Sequence, residues 1–170
     1  MRSRTYFSMF GITIEAGEEV HPAVLYPFFL IHMGMFGLIG FVMAYSDKDV
    51  PLAFMYLHGG IAVWSYVKFY EATFGIDEVK WMFINSTLGL LGIWVEIDWL
   101  LSLFGKSLDD FSPWVHVIPF LYYVLYTFLL RQMALDVFRA RDDPVRKQRV
   151  EMAYIGLSLL AYGGIWLAAR

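Results

Sequence analysis

The chain has 170 residues, of which 59% are hydrophobic, 19% aromatic and only 17% charged, and its mean hydropathy is +0.55. A chain this short has too little interior to hide that much apolar surface, which excludes an ordinary soluble enzyme. The aromatic content excludes disorder, the lack of cysteine excludes disulfides and thiolate-held metals, and the net charge of −3 argues against a nucleic-acid partner. The expected class is an integral protein of the lipid bilayer.

Residues 1–21 carry Glu15, Glu18 and Glu19 and no continuous apolar run, so they do not read as a secretory signal. Their aromatics (Tyr6, Phe7, Phe10) suit a segment lying on the inner membrane surface. Residues 22–170 read as a single transmembrane helical domain. Between the charge clusters lie five apolar runs, about 22–45, 51–74, 79–104, 113–138 and 145–169. Each is close to the roughly 20 residues that cross a bilayer, which predicts an all-α bundle of five transmembrane helices.

The punctuation fits this division. Pro22, Pro51, Pro113 and Pro144 stand at predicted helix starts, with Asp49, Ser112 and Asp143 as nearby capping residues, and Asp77 is placed to cap the third helix. Gly75 and Gly105 stand where helix ends favour a left-handed residue. Pro27 and Pro119 lie further in and are expected to bend the first and fourth helices. Of the 13 Lys and Arg, ten fall on the side of the N-terminus, chiefly in Arg131–Arg149, and Lys48, Lys106 and Arg170 on the other. That asymmetry predicts N-in, C-out, in a bacterial inner (cytoplasmic) membrane.

Ionisable groups inside a bilayer are costly, so each is a candidate for function. At about 1.5 Å of rise per residue, His32 lies ~15 Å from the inner end of its helix and His58 ~10 Å below the outer surface. Glu96 and Asp98 fall about 10–14 Å from that same surface, and His116 only ~5 Å deep. Asn85, Gly89, Gly92 and Glu96 share one stripe of the third helix, and Asp98 points roughly opposite to Glu96. Glu96 is therefore the carboxylate expected to face the bundle interior.

Two short patterns repeat, Ile31-His32-Met33-Gly34 and Leu57-His58-Gly59-Gly60. Facing imidazoles on antiparallel helices hold a b-type haem, and Gly34 and Gly60 would leave room for the macrocycle. A competing constellation of His58, His116 and Glu96 suits a metal ion. The plainer reading makes each histidine a hydrogen-bonding partner of a neighbouring helix. Lys68 and Glu71 are spaced for an i,i+3 ion pair with a structural role. Nucleotide-binding glycine motifs and hydrolase elbows are absent from the sequence.

Three functions follow as expectations. The first is a subunit of a larger respiratory or photosynthetic membrane complex, either accessory or binding a haem, metal or pigment for electron transport. In that reading Glu96 or Asp98 passes protons, and the partners are other membrane subunits. The second is an intramembrane enzyme acting on an isoprenoid or sterol-like lipid by acid–base chemistry, with Glu96 as general acid assisted by His58 or His116. The third is a purely structural accessory membrane subunit.

Overall fold

In the computed structural model the described residues are 3, 6–9, 12–19, 21–46 and 49–169. Helix α1 spans Pro22–Tyr45, α2 Leu52–Phe74 and α3 Ile76–Gly92, and α3 continues through a π-helical turn, Ile93–Ile97, into α4, Asp98–Ser102. Two 3-10 turns, Leu108–Asp110 and Pro113–His116, lead into α5, Val117–Val137, and α6 covers Pro144–Ala168. Ahead of the helices β1, Phe7–Met9, pairs antiparallel with β2, Ile12–Ile14, setting Phe7 opposite Ile14. The segment expected on the membrane surface thus contains a small hairpin, and β1 packs against α2. Phe10 lies outside the described residues, as do Arg2, Arg4, Lys48 and Arg170 of the charge count. Three helical stretches, Pro22–Tyr45, Pro113–Val137 and Pro144–Ala168, are long and apolar enough to cross a membrane.

Local chemistry explains the boundaries. Pro22 occupies the first turn of α1, and the His21 ring accepts the Ala23 N–H at 3.3 Å, a cap the sequence did not suggest. A single residue, Gly75 at φ 93°, separates α2 from α3. Because α3 begins at Ile76, Asp77 sits in its first turn, favourable to the helix dipole, instead of at the capping position. Asp143 caps α6 as expected, accepting the N–H groups of Val145 and Arg146 at 3.0 and 3.1 Å. Helix α1 runs through Pro27. The chain changes from a 3-10 turn to α-helix at Val117, so the missing N–H of Pro119 falls in the first turn of α5, where no partner is required.

Helix α5 is the centre of the bundle, with α1, α2, α3 and α6 all packed on it. Its Ile118, Tyr122, Leu125, Phe128 and Leu129 are buried. Small residues let the neighbours approach. A Cβ on Gly59 would stand 2.6 Å from Ile118, one on Gly89 3.1 Å from Val124 and one on Gly40 3.2 Å from Tyr122. Of Gly34, Gly37 and Gly40, spaced by three along α1, only Gly40 makes such a contact. Successive long helices alternate in direction. At one end Tyr26 of α1 stacks on Phe74 of α2, and Arg131 of α5 and Lys147 of α6 meet Glu78 of α3. At the other, Tyr45 meets His116, Tyr56 donates to the carbonyl of Trp114, and Lys106 donates to that of Tyr45.

Candidate functional site

Glu96 occupies the π-helical turn, where one extra residue shifts the register of everything that follows. It is half-buried and hydrogen-bonded to the Tyr123 side chain of α5. The Tyr123 hydroxyl is in turn 2.5 Å from that of Tyr162, the one buried residue of α6. Gly92, one turn before Glu96, makes room for this arrangement, since a Cβ there would overlap the phenol of Tyr123. Glu96 thus faces the bundle interior. Asp98 serves the loop, accepting the Leu108 N–H at 2.9 Å. Gly89 and Gly92 of the expected stripe both lie against Tyr123, while the Asn85 side chain falls outside the described residues.

At the opposite end of the bundle lies an ion-pair cluster. Arg131 is 1% exposed and bridges Glu78, at 2.9 Å, and Glu151. Its guanidinium also lies 4.2 Å from the ring centre of Trp81. Glu78 stands just ahead of the third predicted span and accepts Lys147 at 2.6 Å and Gln132 at 3.0 Å. Burial pushes its carboxyl up, but the hydrogen bonds from Lys147, Gln132 and Arg131 outweigh this and hold it down at about 2. Arg141 adds contacts to Asp136 at 2.6 Å and to Gln132 at 2.8 Å, and Tyr26 donates to Asp136.

Between the two groups runs α6. Lys147, Glu151, Tyr154, Ser158 and Tyr162, spaced by four, three, four and four residues, share one face. Tyr154 donates to the Thr127 carbonyl of α5 at 2.9 Å and pairs with Ser158. On other faces Met152, Leu157, Leu159, Leu160 and Leu167 are exposed. That arrangement, polar groups inward and apolar groups outward, accompanies a length and hydropathy sufficient to cross a membrane.

The histidines have separate surroundings. His32 is exposed on α1 and contacts Phe28 and Phe36. His58 is half-buried against Phe36 and Phe54, and its Nδ1 is buried with no partner. Phe36 touches both imidazoles, its ring centre 6.4 Å from His32 and 6.0 Å from His58. Beside them Gly34 and Gly60 face open space. His116 is held by the Tyr45 hydroxyl at 3.0 Å and by the Leu108 backbone. Among the described residues no three His, Asp or Glu side chains gather to hold a metal ion, so His58, His116 and Glu96 are not brought together.

A cavity of about 460 Å³ opens beneath the loop between α4 and α5, walled by Leu90, Trp94, Phe111, His116 and Phe120. Glu96 is not among the residues that line it. Tyr123, Tyr162, Arg131, Glu78 and Glu151 were not foreseen as site residues, although the polar spacing along α6 was readable. Comparison with protein-family models, characterised proteins and solved structures returns no match.

Proposed function

We propose that the chain is a five-span subunit, N-terminus inside, of a larger energy-converting complex in a bacterial inner membrane. Its contribution is Glu96, a carboxylate that takes up and releases a proton in the outer half of the bilayer. The observation that carries this reading is Glu96 turned inward by a π-helical turn onto the hydroxyl pair Tyr123–Tyr162. π-Turns inside α-helices are frequent at functional sites, and intramembrane carboxylates bonded to hydroxyls are the working parts of proton relays. The alternation of helix direction supports counting α2 and the α3–α4 run as two further spans. Short loops leave no room for a catalytic domain, which supports a role beside partner subunits.

The test is to isolate the chain from its native membrane in mild detergent, identify what accompanies it, and compare wild type with Glu96→Gln. The expected result is a membrane partner in fixed ratio whose proton-coupled turnover falls about tenfold or more in the variant, in keeping with loss of a proton-transfer group. A chain that purifies alone, or a variant complex with undiminished turnover, overturns the reading. An absorption spectrum of the same material decides the cofactor: a haem band abolished by His58→Ala would place haem at the α1–α2 face.

A further inference from the structure

We infer that the polar face of α6 is a proton path joining Glu96 to the inner-side ion cluster, so that Glu96 exchanges protons with one side of the membrane only. This rests on the reading of Glu96 as a proton-exchanging group. The path runs from Lys147 and Glu151 past Tyr154 and Ser158 to Tyr162, then across to Tyr123 and Glu96. From Glu151 to Tyr162 it covers roughly 16 Å of helix rise, about half the hydrocarbon thickness.

Its members suit the task. A hydroxyl both donates and accepts, so Tyr and Ser can pass a proton without holding a charge. When Glu96 is ionised it takes the proton of Tyr123, Tyr123 takes that of Tyr162, and each oxygen is refilled from its inward neighbour, Tyr154 turning its O–H from the Thr127 carbonyl to Ser158 to do so. Glu151, a carboxylate in its pair with Arg131, first takes a proton from water at the inner rim and then passes it to Tyr154. Every hydroxyl ends with one proton, as it began, and the net change is one proton taken from water and gained at Glu96. Two steps, Tyr162 to Ser158 and Tyr154 to Glu151, span a helical turn of ~5–6 Å, within reach of one bridging water.

Three features give the path its sidedness. Among the described residues, the titratable groups that interact with Glu96 are Tyr123 from α5 and Tyr154 and Tyr162 from α6, all of which lie on this path. Toward the outer surface Asp98 is committed to the Leu108 N–H, and the neighbouring cavity is walled mainly by apolar side chains. At the inner mouth Arg131, 1% exposed and paired to Glu151, repels free cations, so entry is by proton exchange on the carboxylate.

A membrane-permeant carbodiimide, dicyclohexylcarbodiimide, reacts with protonated carboxyls and reports the state of Glu96 by mass spectrometry. Sealed membrane vesicles containing the full chain are set to independent pH values inside and out. Labelling of Glu96 is expected to rise, by up to about tenfold per unit, as the pH on the N-terminal side is lowered, and to ignore the other side. Tyr154→Phe and Ser158→Ala should each abolish that response while labelling normally in detergent, where the pH is uniform. The detergent control shows that Glu96 stays reactive in the variants, and an unchanged melting temperature shows that they are folded. Labelling that follows outer-side pH, or that keeps its inner-side response in both variants, overturns the path alone. A Glu96 that never labels in wild type, at any pH or in detergent, overturns the functional reading itself.

Discussion

Gly59 and Gly60 are neighbours in sequence with opposite surroundings. A methyl group on Gly59 would stand 2.6 Å from Ile118, whereas one on Gly60 would meet nothing within 4 Å. Ile118 is fully buried in the central helix and has nowhere to withdraw. Gly59→Ala is therefore expected to cost about 1–3 kcal/mol and lower the melting temperature in detergent, while Gly60→Ala leaves it unchanged. Equal melting temperatures for the two variants would contradict the close approach of α2 to α5. The same contrast shows how far a residue pattern reads. The His-x-Gly spacing singled out Gly60 as the space-making residue, but which neighbour faces a packed helix depends on where α5 runs, and no four-residue pattern holds that information.

At the level of elements, the start of α3 is tied to α5 and α6 through Glu78, and the tie is sensitive to acid. Hydrogen bonds from Lys147, Gln132 and Arg131 hold the Glu78 carboxyl at about 2, below the ~4.3 of an unfolded chain. A depressed folded value means stability that is present above the unfolded value and lost as pH falls toward the folded one. The melting temperature in detergent should thus fall between about pH 4.5 and 2, and Glu78→Gln should flatten that part of the curve. An unchanged acid limb in the variant would assign the loss to other carboxylates. Boundaries of α1, α2 and α6 were legible because Pro, Gly and Asp143 act locally through φ, missing donors and a capping oxygen, whereas Asp49 and Ser112 make no side-chain cap and the start expected at Pro113 is a 3-10 turn. The π-helical turn was not legible. Ile93-Trp94-Val95-Glu96-Ile97 is an ordinary apolar run, and the extra residue is absorbed by contacts with α5 and α6 that lie far away in sequence. Arg131 shows the same limit: it counted as one more inner-side charge, yet the fold buries it between Glu78 and Glu151.

For the molecule as a whole, the absence of cysteine offers a direct test of orientation. Asp142, in the turn before α6, and Asp109, in the loop before α5, are both exposed and belong to opposite ends of the bundle. In intact cells a membrane-impermeant maleimide should label Asp109→Cys at once and Asp142→Cys only after permeabilisation. The reverse order would invert the proposed topology, and the inner side of the α6 path with it. The bundle also has a history written into it by the position of its central helix. The ribosome delivers α5 only after α1, α2 and α3, although each of these three packs on α5. Gly40, Gly59 and Gly89, shaped for Tyr122, Ile118 and Val124, have no surface to meet until that helix arrives. Under the proposed topology these three helices, which also pack on one another, complete their contacts only when α5 emerges, and α6 docks last.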